Sequence, residues 1–184
     1  MVQNSNILRI NSVPNPSAQF NKLLHSSCSP GTGSCGSGEV LELNKGLLGV
    51  YYYLFVLMES SGCRVGELLN ASYSQITTHG KILVKGLKGS NDRFISDSRA
   101  TEFLLKMRAI QRDPFHGCNR FTARRHLQKI SLFTQKRGRK NLTMTGVFRE
   151  QYAKEIREVD NNDSAVSKHI GHKVSTTGKH YGKG

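Results

Sequence analysis

The segment at residues 47–58 constrains the fold most, because it is the most apolar part of the chain. It is too short to cross a bilayer and is typical of a helix buried in a protein core. Tyrosines at 51–53 and Phe55 widen the apolar face of the predicted helix, so other elements must cover it on several sides. The side chains that fall on one face at helical spacing are Leu43, Leu47, Val50, Leu54, Leu57 and Met58.

The charge of the chain points to a polyanionic partner. Among 184 residues, 27 are Lys or Arg and 13 are Asp or Glu, which gives a net charge of +14 and an isoelectric point near 9.9. Such an excess favours nucleic acid first and an anionic membrane second. Charge alone leaves open a ribosomal-type protein or a merely soluble basic protein. The length suits one domain with a substantial core.

The cysteines and the N-terminus bear on the cellular compartment. Cysteines at 28, 35, 63 and 118 lack CxxC spacing, so they favour neither a zinc site nor a disulfide framework and indicate a reducing environment. The N-terminus has no basic stretch followed by an apolar one, so we do not expect secretion. We expect a cytoplasmic, nucleoid-associated protein, or a viral or organellar one.

Composition divides the chain near residue 38. Residues 1–38 contain no acidic residue and end in a glycine- and serine-rich run, which is typical of a flexible tail or linker. A phosphate-binding glycine loop is disfavoured, because no Lys-Ser or Lys-Thr pair follows the glycines. We therefore predict a tail at 1–38 and a single folded domain at 39–184.

The remaining patterns predict an α+β fold that is mostly helical. Three β-prone runs at 73–77, 81–85 and 93–96, separated by glycine turns, predict a small three-stranded antiparallel sheet. Helices are predicted at 65–71, from a cap at Asp97 to about 112, from a cap at Thr145 over 146–158, and at 164–170. A last helical turn is predicted at 176–181.

A basic segment at 119–140 is the best local candidate for contact with nucleic acid. It has no acidic residue, and its first half reads as a helix and its second half as a basic loop. Positive side chains of this density suit the phosphate backbone, although a solvated basic face is the alternative. The predicted DNA-binding residues are Arg120, Arg124, Arg125, Lys129, Lys136, Arg137, Arg139 and Lys140.

Two short segments place cationic side chains beside predicted turns. The first reads Gly62-Cys-Arg64-Val-Gly-Glu67-Leu-Leu and enters a predicted helix. The second reads Lys88-Gly-Ser-Asn-Asp-Arg93 and lies in a turn of the predicted sheet. Taken singly, an Arg–Glu pair on a helix surface and a solvated lysine in a turn are the ordinary interpretations.

Two later segments complete a pattern. The third segment reads Arg149-Glu-Gln-Tyr-Ala in the first turn of a predicted helix. The fourth reads Ile-Gly-His172, followed by Ser175-Thr-Thr and then by Tyr181. In order and spacing, the four segments resemble the catalytic boxes of the tyrosine recombinases, or phage integrases, over residues 41–182.

This resemblance implies a catalytic domain that cuts and rejoins double-stranded DNA without a metal or other cofactor. Tyr181 would attack the scissile phosphate, and Arg64 and Arg149 would hold its non-bridging oxygens. Lys88 would protonate the departing 5′ oxygen, and His172 would orient the phosphate or take the tyrosine proton. These five residues should converge on one basic pocket. A homo-oligomer on DNA is left open, and no membrane contact is expected.

Departures from the family pattern keep a second interpretation open. Gly146 stands where the third box usually has histidine, only three residues follow Tyr181, and residues 1–38 are too few for the usual DNA-clamping domain. Gly146 and the short segment after Tyr181 favour a non-catalytic DNA-binding relative of the same fold. An unrelated RNA-binding protein is disfavoured, because aromatic-rich sheet motifs are absent from the sequence.

Overall fold

The computed structural model describes residues 37–87, 90–130, 144–160 and 163–171. A 3₁₀ turn at Tyr73–Gln75 precedes two strands, β1 at Ile82–Val84 and β2 at Arg93–Ile95. The helices are α1 (Ser37–Leu43), α2 (Lys45–Leu48), α3 (Val50–Ser61), α4 (Val65–Leu69), α5 (Ser98–Ala109), α6 (Arg120–Lys129), α7 (Met144–Asp160) and α8 (Asp163–Ile170). No helix in the part of the chain described here is long and apolar enough to cross a membrane.

Helix α3 is the centre of the core, which confirms the predicted buried helix. It packs against α1, α5 and α7. Burial of each large apolar side chain stabilises the folded state by about 1.5–3 kcal/mol. Helix α3 therefore organises the elements that pack around it. The α3 side chains with no exposed surface are those of Tyr52, Leu54, Phe55, Val56, Leu57 and Met58.

The apolar face does not extend to Leu43 and Leu47, and that part of the prediction is wrong. Each of these side chains is 57% exposed. The chain turns between α1 and α2 and again at Gly49, which has φ 54° and ψ −127°. Because three separate helices replace one continuous helix, the 3.6-residue spacing no longer places the early leucines on the buried side.

The small antiparallel sheet is confirmed, but it has two strands rather than three in the described residues. Strand β1 pairs with β2 in the register Ile82–Ile95 and Val84–Arg93. The first run predicted as a strand forms the 3₁₀ turn, and only Ile76 makes a single bridge to Ile82. Ser72 explains this difference, because its N–H donates to the side chain of Gln75 at 2.7 Å and so starts a helical turn.

Side-chain caps fix where two of the predicted helices begin. The carboxylate of Asp97 accepts a hydrogen bond from the N–H of Arg99 at 2.9 Å, and α5 starts there as predicted. Asn119 caps α6 in the same way, by accepting from the N–H of Thr122 at 2.9 Å. Helix α7 begins at Met144, so Thr145 lies inside the helix rather than at its cap.

Some predictions concern residues outside the described ones. The proposed tail is one of them, apart from its last two residues, Ser37 and Gly38, which form the start of α1. The last helical turn at 176–181 also lies outside the described residues. The domain boundary at residue 38 therefore stays a prediction.

Candidate active site

The loop between α3 and α4 places the first predicted arginine. Gly62 ends α3 in the left-handed conformation, with φ 59°, and its N–H donates to the carbonyl of Met58 at 2.9 Å. A glycine adopts this conformation without the strain that a β-carbon would cause. The chain then passes through the buried Cys63 to Arg64, the residue that precedes α4.

Arg64 is anchored at the entrance of α4 and remains partly open to solvent. Its N–H donates to Glu67 Oε2 at 3.0 Å, and its Nη1 donates to Glu67 Oε1 at 3.0 Å. The same Nη1 donates to the carbonyl of Leu87 at 3.2 Å and to the hydroxyl of Ser90. With 26% of its side chain exposed, Arg64 can still be approached by a ligand.

Glu67 is buried between two arginines. Arg93 Nη2 donates to Glu67 Oε2 at 3.0 Å and contacts Cys63 Sγ at 3.0 Å. Burial by itself would raise the pKa of Glu67, but the N–H of Arg64, the charge of Arg93 and hydrogen bonds from both guanidinium groups hold that pKa below its ordinary value. Glu67 is therefore an anion at neutral pH, inside a cluster whose formal charge is positive.

Arg149 joins the end of α3 to the end of α8. Its side chain is buried, Nη1 donates to the carbonyl of Gly62 at 2.7 Å, and Nη2 donates to the carbonyl of Ile170 at 2.7 Å. Gly62 lies two residues before Arg64 in the chain. The structure thus brings the first and third segments of the sequence pattern to one junction.

Gly171 brings the fourth segment to the turn between β1 and β2. Its carbonyl accepts from the N–H of Asn91 at 3.2 Å, and its own φ is 70°. A β-carbon at Gly171 would lie 2.9 Å from Arg93 Nη1, so the arginine packs directly on this backbone. Three of the predicted catalytic residues lie outside the described residues: Lys88, His172 and Tyr181.

A groove of about 510 Å³ opens beside this junction. Arg93, Tyr152 and His169 are among the residues that line it. The hydroxyl of Tyr152 lies 3.4 Å from His169 Nδ1, and burial raises the pKa of Tyr152. The groove thus borders the arginine cluster on the side of α7 and α8.

Helix α6 carries the first half of the basic segment. Its buried residues are Ala123 and Leu127, which fix it to the core. The exposed face therefore holds the predicted cations of this helix, and the helix has no acidic residue. These exposed cations are Arg120, Arg124, Arg125 and Lys129. The other four predicted DNA-binding residues, Lys136, Arg137, Arg139 and Lys140, lie outside the described residues.

The sequence pattern does not predict the contacts of Arg93 and Ser90. In the sequence, Arg93 is only the end of the second segment, whereas in the structure its guanidinium reaches Glu67, 26 positions away. Ser90 sits inside the same segment and receives a hydrogen bond from Arg64. The only signal in the sequence was that the segment ends in a second cation. Within the described ranges, no three His, Cys, Asp or Glu side chains are grouped so that they could hold a metal ion.

Solved structures with a similar fold include two recombinases. The crystal structure of XerA recombinase superposes with a TM-score of 0.58 at 18% sequence identity, over 85% of this chain and 61% of that one. The chain has the fold of a tyrosine recombinase catalytic domain. The XerH site-specific recombinase, in a pre-cleavage complex with its difH substrate, matches with a TM-score of 0.54 at 20% identity.

The recombinase-like fold covers part of each of these proteins. The XerH match includes 78% of this chain and 48% of that one, so the chain spans between about half and three fifths of the two solved structures. Neither a family model nor a curated protein matches the sequence. At these identities the similarity establishes the fold, and the chemistry must be argued from the residues.

Proposed function

We propose that this chain is the catalytic core of a site-specific DNA recombinase, which cuts and rejoins a strand through a 3′-phosphotyrosine intermediate. The observation that carries the proposal is the junction of Arg64 and Arg149 with the residues that flank Lys88 and the residue two before His172. Arg64 bonds Leu87 and Ser90, and Arg149 bonds Ile170. Described residues from four segments that are distant in sequence are thus linked by hydrogen bonds, which supports the proposal.

The charge at this junction suits a phosphodiester. A pentacoordinate phosphate transition state gains negative charge on its non-bridging oxygens, and guanidinium groups stabilise that charge through paired hydrogen bonds. Arg64 is fixed by Glu67 but partly exposed, so it can bind an oxygen without first becoming ordered. A pre-oriented donor costs little reorganisation when the charge develops.

The proposed strand transfer is a substitution at phosphorus. The phenolate oxygen of Tyr181 attacks, a P–O bond to tyrosine forms, and the P–O5′ bond breaks. Lys88 gives its proton to the departing 5′ oxygen, and His172 accepts the phenol proton. A 5′-hydroxyl from another strand then reverses the reaction on the same phosphorus and releases Tyr181. The energy of the broken bond is retained in the ester.

DNA is the proposed partner, and helix α6 supplies part of its binding surface. Its exposed cations lie on a helix without acidic residues, which favours contact with a phosphate backbone. The solved XerH complex holds its difH substrate, which agrees with a DNA ligand for this fold. Several copies acting together on DNA remain part of the proposal.

A non-catalytic DNA-binding relative is the second candidate, and Gly146 favours it. This residue lies in the first turn of α7, one turn before Arg149, where the family usually has a histidine. A missing acid–base group costs typically about 10²–10⁴-fold in rate. Binding through Arg64 and α6 would persist without that group, so the two functions differ in chemistry and not in affinity.

A covalent trap distinguishes the two candidates. The chain is incubated with a pool of nicked duplexes of randomised central sequence, in which the short 5′-hydroxyl fragment diffuses away after attack. A recombinase gives an adduct that survives denaturing gel electrophoresis, and sequencing the bound DNA identifies the target. Tyr181→Phe is the matched control and must give no adduct. If the chain binds duplex DNA but forms no adduct, the second candidate, a non-catalytic DNA-binding function, is correct.

A further inference from the structure

We propose that Arg93 is a positioning residue for the phosphate site, holding Arg64 through Glu67 and the backbone before His172 through Gly171. This inference rests on the proposed function. Arg93 itself is only 11% exposed, so it is poorly placed to touch DNA and must act through its neighbours.

The carboxylate of Glu67 is held from two sides. Arg64 Nη1 bonds Oε1 at 3.0 Å, and Arg93 Nη2 bonds Oε2 at 3.0 Å, while the Glu67 side chain has no exposed surface. Oε2 also accepts from the backbone N–H of Arg64 at 3.0 Å, so Arg93 is the only one of the two arginines whose side chain holds this oxygen. Rotation of the carboxylate would break these bonds, and Arg93 therefore helps to fix the orientation of Glu67 and, through it, that of the Arg64 guanidinium.

Arg93 is itself fixed by backbone and side-chain contacts. Its backbone belongs to β2 and pairs with Val84 of β1. Its Nη2 contacts Cys63 Sγ at 3.0 Å, and its Nη1 donates to the carbonyl of Asn91 at 3.4 Å. Because its backbone is paired in the sheet and its guanidinium contacts a thiol and a carbonyl, Arg93 is held in one position. The residues that bond to Arg93 are fixed in turn.

The same guanidinium supports the last segment of the pattern. Arg93 Nη1 lies 2.9 Å from the position that a β-carbon would take at Gly171. Asn91, the residue to which Nη1 donates, also bonds the carbonyl of Gly171 at 3.2 Å. His172 follows Gly171 directly in the chain, so Arg93 fixes the point from which that histidine departs.

Charge gives Arg93 a second effect on the site. Two arginines and one carboxylate carry a formal charge of +1, whereas Arg64 and Glu67 alone are neutral. Without Arg93, Glu67 would offset the charge of Arg64, and a phosphate would meet a weaker field in a partly buried site. Loss of Arg93 should therefore slow the step in which negative charge develops.

The test compares Arg93→Met with wild type in single-turnover adduct formation on the nicked substrate recovered above. Because misplaced catalytic groups cost on the order of 100-fold, the maximal rate should fall by about that factor, while the half-saturating DNA concentration changes little. Arg93→Lys keeps the charge toward Glu67 and should recover part of the rate. A role confined to stability would leave the rate of the folded protein unchanged.

Arg99→Met is the matched control. Arg99 is also an arginine paired with carboxylates, but its bonds go to Asp97 at 2.8 Å and Glu59 at 3.0 Å, and 29% of its side chain is exposed. This variant should lose stability and keep its adduct rate. An equal loss of rate in Arg99→Met and Arg93→Met, or no loss in Arg93→Met, would overturn the positioning role.

A structural readout separates this inference from the proposed function. If wild type forms no adduct, the proposed function fails, and crystal structures of wild type and Arg93→Met still decide the positioning. An Arg64 Nη1–Glu67 Oε1 distance that stays at 3.0 Å in the variant would refute it. If Arg93→Met does not fold, the same comparison is made with Arg93→Lys, in which a shifted carboxylate is the expected result.

Discussion

Replacing Gly62 with alanine should destabilise the fold through two separable effects. The residue has φ 59°, and a β-carbon there would lie 2.7 Å from Tyr152 Cδ1 and 3.3 Å from its Cγ. A non-glycine residue in the left-handed region costs about 1–2 kcal/mol. Forcing an atom into a packed ring contact costs about 1–3 kcal/mol more. The free energy of unfolding should therefore fall by roughly 2–5 kcal/mol, the sum of these two terms.

Gly117 provides the matched control. It is the third residue of the turn closed by the hydrogen bond from the N–H of Cys118 to the carbonyl of Phe115, its φ is 80°, and no atom lies within 4 Å of the position that its β-carbon would take. Gly117→Ala should thus cost only the backbone term, about 1–2 kcal/mol. Urea unfolding of both variants, followed by far-ultraviolet circular dichroism and linear extrapolation, measures the two losses.

The difference between the two variants isolates the ring contact. In a Tyr152→Ala background the additional cost of Gly62→Ala should disappear, because the ring that the β-carbon would meet is gone. Equal losses for Gly62→Ala and Gly117→Ala in the wild-type background would refute the reasoning. So would an additional cost that persists without the Tyr152 ring.

Three further predictions concern pH, salt and the missing histidine. Burial, followed by the charge of Lys129, lowers the pKa of His126 in the folded protein. As pH falls, the unfolded chain therefore binds a proton at this histidine before the folded chain does. The free energy of unfolding should thus decrease as pH drops below about 6.5. His126→Phe should remove that loss between pH 7 and pH 5.5 in urea unfolding, and an unchanged loss would contradict the assignment. Affinity for duplex DNA, measured by fluorescence anisotropy, should fall steeply as the salt concentration rises. Neutralising four arginines together should flatten this slope; they are Arg124, Arg125, Arg137 and Arg139. An unaltered slope would show that these side chains do not follow the phosphates. Gly146→His should raise the adduct rate on the nicked substrate, and a folded variant that is no faster would show that another group compensates or another step limits the rate.

Local patterns predicted the elements better than the contacts between them. Apolar spacing identified α3 correctly because a buried helix repeats its signal over several turns. It failed at Leu43 and Leu47, because the helix is interrupted at Asn44 and again at Gly49, and a periodic pattern cannot show such breaks. The run at 73–77 has β-prone residues, but the hydrogen bond between Ser72 and Gln75 outweighs that preference.

The sequence predicts the arginines of the site but not the contacts that hold them in place. Arg64 and Arg149 stood out because their segments resemble a known pattern, and the structure brings both to one junction. The support from Arg93 depends on contacts with residues 26 and 30 positions away. Such contacts follow from tertiary packing, and neither periodicity nor spacing in one sequence carries information about them.

The two carbonyl bonds of Arg149 have a consequence for the order of events during synthesis. One acceptor lies 87 residues before the arginine and the other 21 residues after it. Contacts that span so much chain form late, since the entropy of closing large loops must be overcome first. A nascent chain that ends before residue 170 would have Arg64 in place while Arg149 still lacked one of its acceptors. Pairing of Arg149 with Arg64 at one junction therefore waits until residue 170 has left the ribosome, and a product truncated before it would hold Arg64 without a fully bonded Arg149.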